Sequence, residues 1–274
     1  MAKLTALICV HNEEARLAEC LARLSFADEL VVVLDRCTDG SATIARQYGA
    51  VLVEGAFPLE GPRRAAGAAA ATGDWILEID ADEYVSPELA AEVRAAVASD
   101  QGDWRQIPVD NYIGARLVKY GWGGSFGTTS VARLFRRGAK SWGTQRVHPS
   151  VKFAGEAGPS LRTPIRHEVD DNISDMLRRL DRYTELRAKD LAETGEWPGL
   201  GRNAFRGVRR FYKCYVSRQG WREGGWGFLI ALMAAIYPLL SVLRMQLEVR
   251  GTASMAQDPT AVCAEAVAST SPLA

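Results

Sequence analysis

The chain has 274 residues, of which 47% are apolar, with 33 basic and 33 acidic side chains. This length and composition allow a substantial core in one large α/β domain, alone or with a smaller appendage, and they exclude a scaffold that depends on disulfides. The zero formal net charge points to no class of partner, and nothing in the sequence indicates nucleic-acid binding. The five cysteines form no C-x-x-C pair and have no ligand-like spacing, which favours a reducing, cytosolic compartment.

The first 90 residues alternate apolar runs with amphipathic segments. Four apolar runs are predicted to be buried strands: residues 4–10, 30–34, 51–53 and 75–79. The first of them is too short for a signal peptide. Helices are predicted after each run, with Asn12 and Ser86 as expected N-caps. This alternation predicts βαβ units in an open, mostly parallel, Rossmann-like sheet flanked by helices.

Polar side chains follow three of these strands. They are His11-Asn12-Glu13, Asp35, and the cluster Asp80-Ala81-Asp82-Glu83. Ligands of such sheets bind beyond the carboxyl ends of the strands. Asp80 and Asp82 are therefore predicted to bind Mg²⁺ or Mn²⁺, which would neutralise the charge on a leaving diphosphate. A D-x-D triplet alone is equally consistent with a solvated acidic turn, and its position at a strand end favours the metal site.

Residues 103–170 are irregular and rich in Gly, Trp and Arg, as expected of a substrate-facing region. Arg133 and Arg136 are predicted to hold the diphosphate, since the guanidinium fork suits phosphate. The alternative for these two is a solvated basic strand.

The C-terminal part returns to helical periodicity. Residues 200–216 form a predicted helix with one apolar side and one basic side, and residues 225–243 contain no charge. This pair predicts association with an anionic membrane surface. A full transmembrane span and a buried core helix are the alternatives for residues 225–243. The predicted units are residues 1–170, a helical extension over 171–250, and a disordered tail over 251–274.

Four motifs resemble family 2 glycosyltransferases. In chain order they are the strand and turn from Leu7 to Glu14, the segment from Val31 to Ser41, the block from Gly61 to Trp75, and Asp80-Ala81-Asp82-Glu83. The segments Arg133-Leu134-Phe135, Arg146-Val147-His148 and Arg179 to Tyr183 resemble the subgroup that adds sugars to the lipopolysaccharide inner core. The resemblance implies a GT-A fold.

The resemblance also implies a donor site for a nucleotide-diphosphate sugar. Residues expected there are Val10, Asn12 and Glu13 at the nucleotide, Asp35 at the base or ribose, Arg64 at the diphosphate or base, Asp80 at the ribose and metal, and Asp82 at the metal. The sequence departs from the family at Ala65, which replaces the usual Asn, and at Arg36-Cys37. These departures concern the identity of the donor.

The catalytic base is left open by the sequence. The inner-core subgroup has an Asp before its R-L-F motif and a Glu after its His, but Thr129 and Pro149 stand in those places here. A base must reach the acceptor hydroxyl. The candidates are Asp110, His148 and Glu156.

The sequence thus predicts a metal-dependent glycosyltransferase at the cytoplasmic face of the plasma membrane, peripheral or monotopic, and the resemblance implies that its reaction is inverting. Its expected acceptor is a lipid-linked glycan or the lipopolysaccharide core. A sugar-nucleotide nucleotidyltransferase is an alternative, although it would need a Gly-rich, Lys-ending loop after the first strand. A catalytically inactive membrane-bound scaffold is the second alternative function.

Overall fold

The structure is a computed structural model that describes residues 2–99, 101–123, 127–147, 149–195 and 199–249. The strands are β1 Leu4–Val10, β2 Glu29–Asp35, β3 Val51–Gly55, β4 Trp75–Ile79, β5 Glu83–Tyr84, β6 Trp104–Ile113, β7 Arg116–Val118, β8 Ser130–Arg136, β9 Lys140–Trp142, β10 Val151–Phe153 and β11 Ile165–Asp170. The helices are α1 Glu14–Ala22, α2 Ser41–Gln47, α3 Glu60–Ala70, α4 Pro87–Ser99, α5 Ile173–Thr194, α6 Leu200–Tyr212 and α7 Gly225–Arg244.

One sheet organises the molecule. Its strand order is β3-β2-β1-β4-β8-β6-β11-β5, and β7 pairs with the C-terminal end of β6. The strands β3, β2, β1 and β4 are mutually parallel, β8 lies antiparallel between β4 and β6, and β11 is parallel to β6. Six strands therefore run in one direction, which confirms the predicted mostly parallel α/β sheet. A separate pair, β9 and β10, is antiparallel.

Helices cover both faces of the sheet, which explains why β1 and β4 are buried along their whole length. Leu17 and Leu21 of α1 and Leu89 of α4 pack on one face against Ile8 and Leu77. On the other face α3 lies close to the strands, because a Cβ atom on its Gly67 would collide with side chains of β1 and β2. Such continuous apolar burial is typical of parallel strands.

The turn after β1 differs from its prediction. Asn12 does not cap α1, because its backbone is left-handed (φ 56°) and Glu13 occupies the N-cap. The Asn12 side-chain oxygen instead accepts a hydrogen bond from the Thr38 backbone N–H at 2.8 Å. The expected cap at Ser86 is confirmed, since its hydroxyl accepts from the Leu89 N–H at 3.2 Å.

The three C-terminal helices pack together and against the β6–β7 end of the sheet. Met176 of α5 and Ile230 and Ala234 of α7 share a core with Ile113 and Trp122. α6 continues as a π-helical segment Lys213–Ser217, and a short 3-10 turn, Gly220–Glu223, leads into α7. A second π-helical segment, Met245–Val249, follows α7.

The helix formed by α7 and its continuation is long and apolar enough to cross a membrane by length and composition. It spans Gly225–Glu248, and an 18-residue stretch of it has a mean hydropathy of 2.1 and is half buried inside the protein. The predicted tail over 251–274 lies outside the described residues.

Candidate donor and metal site

The turns after β1 and β2 are joined at the carboxyl edge of the sheet. Arg36, like Asn12, has a left-handed backbone (φ 51°), a conformation that costs free energy for a non-glycine residue. His11 Nδ1 lies 2.6 Å from the Asp35 carbonyl oxygen, and the Asn12 side chain bonds to the β2–α2 turn. The structure therefore brings two of the predicted nucleotide-binding positions, Asn12 and Asp35, side by side.

The carboxylate of Asp35 is buried and fully hydrogen-bonded. The Phe57 N–H donates to its Oδ1 at 2.9 Å, and the Arg36 guanidinium donates to Oδ1 and Oδ2 at 2.9 and 3.0 Å. Burial opposes ionisation, but these hydrogen bonds, with Arg36 foremost, lower the pKa of Asp35. Because the Arg36 side chain is 55% exposed, it can move aside for a polar ligand more easily than the backbone of Phe57 can.

Asp80 lies in a network of acidic and basic side chains that we call the buried charge cluster. Its members are Arg64, Glu78, Asp80, Glu83, Arg133 and Lys140. Arg64 donates to Asp80 Oδ1 at 3.0 Å, and Arg133 donates to Asp80 Oδ2 and, at 2.8 Å, to Glu83 Oε1. Three basic and three acidic side chains are thus buried against one another, and the partly exposed Glu60 adds a further carboxylate to Arg64.

Glu78 is the deepest member of the buried charge cluster. Its carboxylate accepts hydrogen bonds from Arg64 and Lys140, and Arg133 Nη1 lies 3.4 Å from Oε1. Burial would raise the pKa of Glu78, but Arg64, Lys140 and Arg133 outweigh it and lower the pKa to about 2. For Asp80 the same competition between burial and the charges of Arg133 and Arg64 also leaves the pKa well below its ordinary value. Both carboxylates are therefore anionic at neutral pH.

Asp82 lies at the open side of this cluster and faces His167 of β11. His167 Nε2 is 3.6 Å from Asp82 Oδ2, and the Asp82 side chain is about one-third exposed. The other ring nitrogen, Nδ1, lies 2.9 Å from the side-chain oxygen of Asn111, whose amide nitrogen donates to the Thr128 carbonyl at 2.9 Å. That second bond fixes the amide so that its oxygen faces His167, and Nδ1 must then carry the proton. Burial lowers the pKa of His167, but the hydrogen bond with Asp82 and the charge of Asp82 outweigh it and raise the pKa. A cation bound at Nε2 would take the place of the proton that otherwise faces Asp82.

The oxygen of Asp82 and the nitrogen of His167 fit a divalent cation. Metal-binding histidines characteristically donate their other ring N–H to a polar group, as His167 does to Asn111. Mg²⁺ and Mn²⁺ sites that handle phosphates need only one or two protein groups, because water and phosphate oxygens complete the shell. Among the described residues there is no set of three or more such side chains arranged around one metal position. Both oxygens of Asp80 already accept from arginines, so Asp80 is less available than Asp82.

Glu13 and Val10 lie at the same edge as Asp82. Burial and, second, the charge of Asp82 raise the pKa of Glu13, so the two carboxylates are close enough to interact. The side chain of Val10 is buried in the core, and only its backbone can face a nucleotide.

The two predicted phosphate-binding arginines are separated by the fold. Arg133 joins the buried charge cluster, where its guanidinium binds carboxylates. Arg136 lies at the opposite edge of the sheet, 3.3 Å from Asp103 and over the Trp75 ring, and therefore apart from Asp80 and Asp82. Arg64 is also occupied, by Glu60, Glu78 and Asp80.

The three candidates for the base are not brought together. Asp110 alternates with Asn111 on β6 and therefore projects from the other face of the strand. Glu156 is exposed at the far edge, where its backbone pairs with Asp103 before β6 begins. His148 lies outside the described residues. The identity of the base stays a prediction.

Four residues of the site were missed by the sequence analysis: Glu78, Asn111, Lys140 and His167. Glu78 could have been predicted from the sequence, because an acidic residue within an apolar strand requires a buried partner of opposite charge. The other three come from strands that are distant in sequence and carry no local motif.

Comparison with known proteins agrees with this architecture. A family model described as Glycosyl transferase family 2 matches residues 5–139. Lipopolysaccharide core biosynthesis glycosyltransferase LpsC from Rhizobium meliloti (strain 1021) is 25% identical over 259 residues, which cover 88% of this chain and 91% of that protein. An uncharacterized glycosyltransferase of Rickettsia felis is 28% identical over 258 residues, covering 90% of both chains.

Solved structures are similar at a lower level. TarS 1–349 from S. aureus is 13% identical and covers 91% of this chain and 92% of its own, with a TM-score of 0.46. Glucosyl-3-phosphoglycerate synthase from Mycobacterium tuberculosis, in complex with Mn²⁺, UDP and glucosyl-3-phosphoglycerate, is 21% identical and covers 40% and 44%, with a TM-score of 0.34. The sequence matches carry the assignment: the chain belongs to glycosyl transferase family 2.

Proposed function

We propose that the protein transfers a sugar from a nucleotide-diphosphate donor to a lipid-linked glycan or lipopolysaccharide-core acceptor. The observation that carries this proposal is the convergence of Asn12, Asp35, Asp80 and Asp82 at the carboxyl edge of a family 2 sheet, where such sheets bind ligands. The similarity to a lipopolysaccharide core biosynthesis glycosyltransferase over most of both chains supports the acceptor class.

A divalent cation held by Asp82 and His167 would supply positive charge to the leaving diphosphate. The imidazole favours Mn²⁺ over Mg²⁺, whose preference for oxygen ligands is stronger. The buried charge cluster keeps Asp80 ionised and fixed beside Asp82. The chain's own contribution would thus be carboxylates held in fixed positions, which keep the cation against the diphosphate.

The acceptor would approach from the side of Thr128. A cavity of about 370 Å³ opens there, lined by Tyr120, Trp122, Thr128, Thr129 and Arg218 among others. Aromatic rings and hydroxyl groups are suitable partners for a sugar. Because the Thr128 carbonyl is bonded to Asn111, the cavity lies one side chain away from His167 and Asp82. Transfer with inversion would be a single in-line displacement between the two sites.

The test is donor turnover with a panel of nucleotide sugars in Mn²⁺ or Mg²⁺. Asp82→Asn should lower nucleoside-diphosphate release at least about 100-fold, because it weakens the site of the cation that would neutralise the leaving diphosphate. It should also remove the stabilisation that metal and donor together give in thermal unfolding. Glu54→Gln, an exposed carboxylate on β3, is the matched control and should leave both unchanged. Full activity of Asp82→Asn would refute the proposal.

The two rival functions make different predictions. An inactive scaffold, suggested by Thr129 and Pro149 in place of family carboxylates, would release no nucleoside diphosphate from any donor. A nucleotidyltransferase would produce pyrophosphate from a nucleoside triphosphate. It is disfavoured by the His11-Asn12-Glu13 turn, which lacks the Gly-rich, Lys-ending loop. NMR of the product's anomeric centre would separate inversion from retention.

A further inference from the structure

A second cavity lies between α5, α6 and α7, away from the donor site. Its volume is about 290 Å³, and five of its lining residues are cationic: Arg187, Arg206, Arg209, Arg210 and Lys213. Arg187 comes from α5, and the other four recur at helical spacing along α6 and its continuation. Tyr237 and Pro238 of α7 close the other side.

The charge in this basic cavity is not neutralised by the protein. Within the described part of the chain, none of the five cations has an acidic side chain within ion-pair distance. Arg210 is half-buried over the Tyr237 ring, and its buried Nη1 atom has no hydrogen-bond partner among the described residues. This differs from the buried charge cluster, where each cation faces carboxylates. Arg206, Arg209 and Lys213 are exposed, whereas Arg187 and Arg210 are partly buried. Five cations around one space, together with the partnerless Nη1 of Arg210, suit the cavity to an anionic ligand.

The neighbouring surface indicates where the anion comes from. Helix α6 has three sides. One contains Asn203 and Gly207 and is buried, the second is basic, and the third is apolar and exposed to solvent. On the apolar side Phe205, Val208 and Tyr212 are 70%, 67% and 60% exposed. This side continues onto α7 through contacts between the rings of Phe211, Tyr215 and Phe228. Exposed aromatic and aliphatic side chains next to arginines are typical of a helix that lies in a membrane interface.

We propose that this basic cavity binds the phosphate monoester of a membrane lipid while the apolar side of α6 enters the same leaflet. A monoester presents three unblocked oxygens and close to two negative charges, which the guanidinium forks can bind together. A phosphodiester is blocked on two sides by its substituents and enters a cavity of this size less completely. The basic cavity is separate from the candidate donor site, so this proposal does not depend on the proposed transfer reaction.

The experiment is vesicle flotation with the full chain at physiological salt. Three vesicle types are compared: phosphatidylcholine alone, phosphatidylcholine with phosphatidic acid, and phosphatidylcholine with phosphatidylserine matched in surface charge. The proposal predicts binding to the phosphatidic acid vesicles at least about fivefold tighter than to the phosphatidylserine vesicles. Equal binding to both would mean a diffuse electrostatic attraction and would overturn it.

Variants separate the cavity from the general charge of α6. Arg187 lies on α5 and not on α6. Arg187→Gln should weaken binding to phosphatidic acid vesicles about five- to tenfold, whereas Arg187→Lys should keep most of the binding. The control is Arg202→Gln, on the exposed basic side of α6 but outside the cavity lining, with an expected loss of less than about twofold. Equal losses for Arg187→Gln and Arg202→Gln would refute a specific site. Far-UV circular dichroism and thermal unfolding of each variant check that it is folded.

Inorganic phosphate distinguishes a lipid ligand from a soluble one. If free phosphate at millimolar concentration raises the unfolding temperature of the wild type but no vesicle is bound, the cavity serves a soluble phosphate and the lipid assignment is wrong. If vesicle binding occurs and phosphate competes with it in the wild type but not in Arg187→Gln, the proposal holds.

Discussion

The pair formed by Glu78 and Lys140 allows the buried charge cluster to be tested by a double-mutant cycle. Their side chains are 2% and 6% exposed, and Lys140 Nζ also lies 4.8 Å from the centre of the Phe135 ring and 5.2 Å from that of Trp142. Glu78→Gln would leave three buried cations against two anions. Lys140→Met would leave two buried cations against three anions. The methionine side chain is apolar and suits the aromatic surroundings of this position.

The expected magnitudes follow from this charge count. Removing one partner of a buried ion pair costs about 3–5 kcal/mol, because the remaining charge is desolvated without compensation. Each single substitution should therefore lower the free energy of unfolding by about that amount. The double substitution restores two cations against two anions, and it should cost much less than the sum of the singles. A coupling free energy of several kcal/mol is thus expected between Glu78 and Lys140.

Urea denaturation followed by circular dichroism at pH 7 measures the cycle. Additive costs, within about 0.5 kcal/mol, would refute the view that the cluster is held by charge balance. A pH series gives a second readout. Because the pKa of Glu78 is lowered to about 2 from the ordinary 4.5, its contribution is complete above pH 4.5 and is lost as the pH falls toward 2. The Glu78→Gln protein should lack that part of the acid dependence.

Further predictions concern packing, the metal position and acid stability. Gly207→Ala should destabilise the protein by about 1–3 kcal/mol, because the new Cβ would lie 2.6 Å from a backbone oxygen of α7. Gly201→Ala on the same helix meets nothing within 4 Å and should be neutral or stabilising, and equal thermal shifts for both would contradict the packing. Asn111→Ala should weaken Mn²⁺ binding about 10–100-fold by releasing the His167 ring, and calorimetry showing unchanged affinity would exclude that role. Hydrogen bonds from two threonines outweigh burial and hold the pKa of Glu29 at about 2. Glu29→Gln should therefore make the free energy of unfolding less sensitive to pH between 4.5 and 2. An unchanged pH profile of the unfolding free energy would contradict this.

The placement of the candidate donor residues at one edge of the sheet could be predicted because these residues follow apolar strands directly. Asn12, Asp35, Asp80 and Asp82 occupy strand ends, and parallel strands bring such ends to one edge. Local sequence therefore determined their placement. The same rule did not foresee that Asp35 would be closed by Arg36, which required knowledge of side-chain contacts.

The position of Arg136 could have been corrected from the sequence. Arg133 and Arg136 are three residues apart, and side chains in a strand alternate between faces, so an odd spacing places them on opposite faces. The same parity separates Asp110 from Asn111. Helical and irregular segments lack this simple rule, which is why the prediction treated the two arginines as one group.

Lys140 and His167 could not be found without the fold. Lys140 reaches Glu78 over 62 positions in the sequence, and His167 reaches Asn111 over 56. Their placement depends on β8 entering the sheet antiparallel and on β11 pairing with β6. Neither pairing leaves a local pattern in the sequence, because the register is set by tertiary packing.

The insertion of β8 between β4 and β6 also has a consequence for biosynthesis. Arg133 arrives on β8, about 50 residues after the carboxylates that it neutralises. A nascent chain that ends before Ser130 would contain Glu78, Asp80 and Glu83 with Arg64 as their only cation from the cluster. We therefore expect the carboxylate edge of the parallel strands to reach its native arrangement only after β8 and Lys140 have emerged from the ribosome.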